Sequence, residues 1–204
     1  ACFSFHPRKV LTTGEGGMVT TNDPALADRL RKLRQHAMSV SDVVRHKSNK
    51  VINETYDEVG YNFRMTDMQA AVGLVQLGKL PAFLRRRRQL AARYSEGFRR
   101  AEQLRVPFVP ENCAHNYQSY MLRLVSRTAE ERDAIMQVLL EKGISTRRGI
   151  MAIHRERPYQ SARWDKSLVN TAWASDSCLI LPLFHQMTEA EQDYVIESVL
   201  QAVS

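Results

Sequence analysis

A chain of 204 residues, 44% of them hydrophobic, holds enough apolar material for one or two compact units with a core. Its 29 Lys and Arg against 22 Asp and Glu give a net charge of +7, which invites a nucleic-acid reading, yet no recognisable nucleic-acid-binding motif accompanies the excess. No apolar run approaches membrane-spanning length, and the three widely spaced cysteines, Cys2, Cys113 and Cys178, fit neither a disulfide framework nor a zinc site, so the expected setting is the cytoplasm, with reduced thiols and no membrane contact.

Cys2 to Phe5 reads as a strand set inside a core. After the run Ser4-Phe5-His6-Pro7-Arg8-Lys9, Val10 to Thr13 and Met18 to Thr21 read as two extended pieces joined at Gly14-Glu15-Gly16-Gly17, where glycine permits positive φ. Asp23-Pro24 has the form of an N-cap and a first-turn proline, and Ala25 to Leu33 continue as a helix with Leu26, Leu30 and Leu33 on one side, expected to cover the sheet. From Ala37 to Asp57 the periodicity disappears, which predicts a long loop of the kind that carries function. Thr66-Asp67-Met68-Gln69 is a capping box opening a helix through Leu77; Gly78 to Pro81 interrupts it, and a second helix runs to about Leu104. That interruption divides the chain into residues 1–79 and 80–204. Arg85-Arg86-Arg87-Arg88, with Arg93, Arg99 and Arg100, falls on the second helix and reads as a solvated face, the alternatives being attraction of an anionic substrate or of an acidic patch on another subunit.

Beyond Pro110 the pattern alternates, with Gln118, Tyr120, Leu122 and Leu124 on one face of a strand. A capping box at Thr128-Ala129-Glu130-Glu131 leads a helix with Ile135, Val138 and Leu139 inward and Gly143 as its stop. Ile144 to Thr146 starts the next extended segment, Leu179 to Leu181 forms a last strand, and Thr188-Glu189-Ala190-Glu191 caps a helix through Val199. Strands and helices in this order describe an α+β domain.

Lys9 is the residue with the most specific surroundings. Ser4-Phe5-His6, then Lys9, then Thr13-Gly14-Glu15-Gly16-Gly17 resembles, in order and spacing, the lysine segment of the DegT/DnrJ/EryC1/StrS sugar aminotransferases, which have the aspartate-aminotransferase fold. Gly60-Tyr61-Asn62-Phe63-Arg64-Met65-Thr66-Asp67-Met68-Gln69-Ala70-Ala71 resembles a second signature of that family. Gly143-Ile144-Ser145-Thr146 with His154 and Pro158-Tyr159 is a weaker third, and the likeness continues to Leu181-Pro182-Leu183, so that it covers nearly the whole chain.

The resemblance implies an α/β protein of pyridoxal-phosphate-dependent transferase fold type I: residues 1–79 as the C-terminal part of the cofactor-binding large domain, and 80–204 as the α+β small domain. It implies pyridoxal 5'-phosphate on Lys9, whose amine forms a Schiff base with the cofactor and moves the proton between substrate carbon and C4′. A protonated lysine is a poor nucleophile, so partial desolvation at the end of a buried strand is expected for Lys9. In the family's dehydratase branch a histidine replaces this lysine, so Lys9 argues for transamination. Ser4 is implied as a phosphate ligand, the alternative being a strand serine. Asn62 and Arg64 match positions that reach the phosphate region of the neighbouring subunit, which implies a homodimer with shared active sites; a turn residue after Gly60 and a structural ion pair are their alternatives. His6 and His154 fall at substrate-facing positions of the family blocks, against the plainer reading of packed or surface histidines. Before His154, where the family often carries an aromatic, this chain has Ile150-Met151-Ala152-Ile153.

Family members begin with a long segment that this sequence lacks, and the carboxylate for the pyridine nitrogen, a stacking aromatic and further phosphate donors are expected there. The 204 residues alone are therefore expected to be inactive. The implied reaction moves an amino group, usually from glutamate, onto a nucleotide-linked keto-sugar for polysaccharide or natural-product synthesis. The alternative is a catalytically silent, regulatory protein that uses the Arg85 to Arg88 helix as a contact surface. No metal is expected, since the six histidines show no paired spacing, and Gly14 to Gly17 lacks the Gly-Lys-Ser/Thr ending of a P-loop.

Overall fold

The computed structural model describes residues 1–159 and 168–204. The chain divides into two compact units, Ala1–Leu80 and Pro81–Ser204.

In the first unit, β1 (Cys2–Ser4) pairs antiparallel with β2 (Gly17–Val19), Cys2 opposite Val19 and Ser4 opposite Gly17. Both strands are exposed along their length, so the expectation of a strand inside a core is not met within this chain. Val10 to Thr13 does not form the expected extended piece: the Thr12 hydroxyl and the Thr13 N–H both donate to the Phe5 carbonyl, at 2.8 and 3.2 Å, and fold residues 5–16 into a loop. The turn that closes it uses positive φ at Gly14 (85°) and Gly16 (149°), as the glycines predict.

Helix α1 (Pro24–Leu33) starts as expected, the Asp23 carboxylate accepting from the Ala25 and Leu26 N–H groups at 2.9 and 3.1 Å. It buries no residue, and Leu26 is 44% exposed, because a ribbon of two three-residue strands offers little surface to cover. The expected loop contains a short helix, α2 (Asp42–Lys47), capped by the Ser41 hydroxyl; six residues are too few for periodicity to register. After α1 the chain turns through left-handed His36 and Ala37, φ 61° and 56°. His36 N–H donates to the Tyr61 carbonyl, Tyr61 N–H to Leu33 and Phe63 N–H to Arg34, at 2.8–2.9 Å, which fixes residues 61–63 against the end of α1. Gly60 is required here, since a Cβ on it would lie 2.1 Å from the Ala37 nitrogen.

Helix α3 (Asp67–Phe98) is continuous over 32 residues and contains Pro81, where two helices were expected with a break at Gly78 to Pro81. The proline removes one donor from the ladder. The turns on either side hold, and the helix stops at Phe98 rather than near Leu104.

The second unit is built on an antiparallel sheet of order β3-β4-β6-β5: β3 (Leu104–Arg105), β4 (Tyr120–Leu124), β5 (Arg147–Arg148) and β6 (Cys178–Leu181). Tyr120 faces Leu181 and Leu122 faces Leu179, and this register puts Tyr120, Leu122, Leu124, Leu179 and Leu181 on one side, each at most 2% exposed. Against that face pack Leu90, Tyr94 and Phe98 of α3, Ile135 and Leu139 of α4 (Ala129–Glu141), and Val195, Val199 and Val203 of the last helix. Val138 was expected inward but is 40% exposed; Ile144 is a buried plug after Gly143, and the strand begins only at Arg147. Helix α5 (Val169–Ser177) has no apolar stripe to announce it and buries Ser175 and Ser177 instead. Helix α6 (Glu189–Val203) runs four residues past its expected end.

The arginine run is a solvated face only in part: Arg85, Arg88, Arg99 and Arg100 are exposed, whereas Arg87 turns inward. Arg87 is 8% exposed and donates through Nε to the Tyr117 carbonyl at 2.7 Å and through Nη2 to Gln118 at 3.0 Å. Arg86 donates to the Met187 carbonyl at 2.7 Å and Arg88 to His115 at 3.1 Å, while Arg93 holds Asp193 with both carboxylate oxygens within 2.8 Å. Burial pulls Arg87 below its ordinary pKa. These cations tie helix to loop, which weakens the expectation that the run is a contact surface for another protein.

Candidate functional site

Two of the expected site residues, His6 and Lys9, share one loop, and Ser4 ends the strand that leads into it. Lys9 N–H donates to the His6 carbonyl at 2.9 Å, closing a turn over His6-Pro7-Arg8-Lys9 in which Pro7 supplies the fixed φ. The His6 ring accepts from the Arg8 N–H through Nδ1 at 3.2 Å, and its Nε2 lies 3.8 Å from the Glu15 carboxylate. Ser4 ends β1, and its hydroxyl accepts from the His6 N–H at 3.4 Å. Lys9 itself is exposed. The buried setting expected for it is not present within this chain, because Pro7, Arg8 and Lys9 form a solvent-facing turn.

The loop is held at its neck. Phe5 N–H donates to the Gly16 carbonyl at 2.9 Å, the Thr12 hydroxyl accepts from the Gly14 N–H at 3.0 Å, and the Thr13 hydroxyl, on a residue 7% exposed, donates to the Glu15 carbonyl at 2.7 Å. Lys9 therefore sits on a defined loop despite its exposure.

Asn62 and Arg64 form a second group in the same unit. Arg64 Nε donates to Asn62 Oδ1 at 3.1 Å, which fixes the carboxamide with its oxygen toward the guanidinium. On either side of Asn62, Tyr61 and Phe63 stack at 5.0 Å with a 4° interplanar angle. His154 belongs to the second unit, in a 3-10 turn over Ile153–Arg155; its Nδ1 is buried and has no hydrogen-bond partner among the described residues. The turn is anchored by Arg155, which grips both carboxylate oxygens of Asp176 at 2.6 and 3.0 Å, and this hydrogen bonding holds the Asp176 carboxyl below its usual range. Ile150 and Met151, standing where an aromatic was expected, are 67% and 61% exposed.

The donor set suits a phosphorylated aldehyde. A primary amine stands on a loop whose leading strand ends in a hydroxyl, and an amide NH2 beside a guanidinium provides donors for a dianion. Among the described residues no group of three His, Cys, Asp or Glu is placed to hold a metal ion, and no helix is long and apolar enough to cross a membrane.

Residues 1–200 match the DegT/DnrJ/EryC1/StrS aminotransferase family. The chain belongs to this family. It is similar to the aminotransferase TlmJ from Streptoalloteichus hindustanus, at 30% identity and a TM-score of 0.86, over 99% of this chain and 51% of that one. DesV of S. venezuelae aligns at 28% identity and a TM-score of 0.85, over 100% and 51% of the two chains. Spr1654 of Streptococcus pneumoniae, in its PLP form, aligns at 26% and 0.84, over 99% and 51%. The chain thus spans about half the length of the solved relatives it matches. The fold is the type I fold of the pyridoxal-phosphate-dependent sugar aminotransferases, and pyridoxal phosphate is the cofactor.

What the sequence missed at this site is the neck of the lysine loop. Thr12 carries no pattern of its own, and Thr13 and Gln69, though they fall in the family blocks, gave no sign that their side chains tie the loop together.

Proposed function

We propose that this chain serves the transfer of an amino group, from glutamate, onto a nucleotide-linked keto-sugar, with residues 1–79 contributing to the cofactor-binding large domain and 80–204 forming the small domain. The observation that carries the reading is the Lys9 turn, closed onto Gly14–Gly17 with Ser4 at its base, in a chain that matches a sugar aminotransferase family over residues 1–200. Bound pyridoxal phosphate supplies an electron sink for charge developing at the substrate carbon. Lys9 Nζ would hold the cofactor and would carry the proton taken from the substrate carbon, serving first as base and then as acid. The Ser4 hydroxyl donates to the phosphate. Asn62 Nδ2 and Arg64 reach the phosphate of a second copy, so the assembly is a homodimer with shared sites. His6 and His154 contact substrate, and the cytoplasm is the compartment. Lys9→Ala in the full-length protein should lower glutamate-dependent amine transfer by about 10³-fold or more. Unchanged transfer would end this reading.

A further inference from the structure

Gln69 joins the two signature blocks through one side chain. Its Oε1 accepts from the Thr66 N–H and the Thr66 hydroxyl, both at 3.0 Å, while Gln69 N–H returns a bond to the Thr66 hydroxyl at 3.2 Å, completing the cap of α3. Its Nε2 donates to the Glu15 carbonyl at 3.1 Å, across 54 residues of sequence. A backbone N–H only donates and a carbonyl only accepts, so a single orientation of the carboxamide satisfies both ends. The same Glu15 carbonyl also accepts from the Thr13 hydroxyl at 2.7 Å. One turn further along α3 the approach is equally close: a Cβ on Gly73 would lie 3.0 Å from Thr13 Cγ2.

A helix cap needs only an acceptor at this position, and glutamate provides one as well as glutamine does. The amide NH2 is surplus to capping, and the structure gives it the neck of the lysine loop. We propose that Gln69 is a positioning residue that fixes the Lys9 loop to the start of α3. It sets where the Lys9 amine stands without touching cofactor or substrate. The proposal rests on the reading of Lys9 as the cofactor lysine for its consequence in catalysis, though not for the contact itself.

Gln69→Glu separates the two roles, because it keeps the acceptor for Thr66 and loses the donor to Glu15. Hydrogen exchange of the full-length protein without cofactor should show the Phe5 and Thr13 amides exchanging about 5- to 10-fold faster in Gln69→Glu, with the Gln69 and Ala70 amides of α3 unchanged. Gln69→Ala should quicken both sets. Cofactor affinity, followed by absorbance, should weaken in Gln69→Glu by a similar factor. An unchanged loop, or helix amides that quicken as much as the loop in Gln69→Glu, would overturn the proposal. A loosened loop with unaltered cofactor affinity would support the positioning role and count instead against Lys9 as the cofactor lysine.

Discussion

Arg87 and Lys9 are both cations in a basic chain, yet the structure treats them oppositely, one 8% exposed and committed to two carbonyls, the other exposed on a turn. A guanidinium offers five donors in a fixed fork and so can be buried where backbone acceptors converge. The Tyr117 and Gln118 carbonyls meet the guanidinium at a point where Tyr117 takes a positive φ of 46°. Arg87→Met removes the guanidinium's bonds to both carbonyls and should destabilise the second unit by about 2–4 kcal/mol in urea unfolding, with Arg87→Lys intermediate. A change below about 0.5 kcal/mol would mean that solvent replaces the guanidinium without loss. Lys9 stood out in the sequence because its neighbours form a motif. Arg87 was not, since within four consecutive arginines only the helix phase and a distant loop decide which one turns inward.

At the scale of elements, the capping boxes were the most readable signals, and both helices of the second unit that carry one begin where it places them. Thr128 N–H donates to Glu131 and Thr188 N–H to Glu191, each at 2.7 Å, and these backbone bonds hold both carboxyls below the usual value of 4.5. A carboxyl depressed in the folded state stabilises above its unfolded pKa, and that contribution is lost as pH falls through the folded one. The thermal midpoint should therefore drop as pH falls from about 5 to about 3, and Glu131→Gln with Glu191→Gln, which keeps an acceptor but cannot titrate, should flatten the drop. An equal slope in the double variant would contradict this. Helix α5 and the continuity of α3 were hidden for different reasons: α5 buries serines and leaves Trp173 54% exposed beneath Arg123, and a proline inside a helix reads as a break although one missing donor does not end it.

For the whole molecule, the second unit has a continuous core from Leu90 to Val203, whereas the first buries little beyond Ala37, Met38 and Thr13. Phe63, Met68 and Leu74 of the first unit are 71%, 80% and 73% exposed. Composition alone gave no hint of this imbalance, since both halves are comparably rich in apolar residues, and only the pairing of strands and helices shows which of them find partners. The proposed homodimer makes a separate prediction at this scale. If Lys9 and Asn62 act in the same site from different copies, mixing Lys9→Ala with Asn62→Ala subunits should restore roughly a quarter of full activity through hybrid dimers, each with one intact site. No recovery on mixing would place both residues in one subunit's site.

The most direct test of the central claim is to reduce the full-length protein with borohydride in the presence of pyridoxal phosphate and map the modified peptide by mass spectrometry. The account predicts a phosphopyridoxyl group on Lys9 that is lost when glutamate is added before reduction. A modified protein whose label lies on another lysine, or none at all on Lys9, would contradict it.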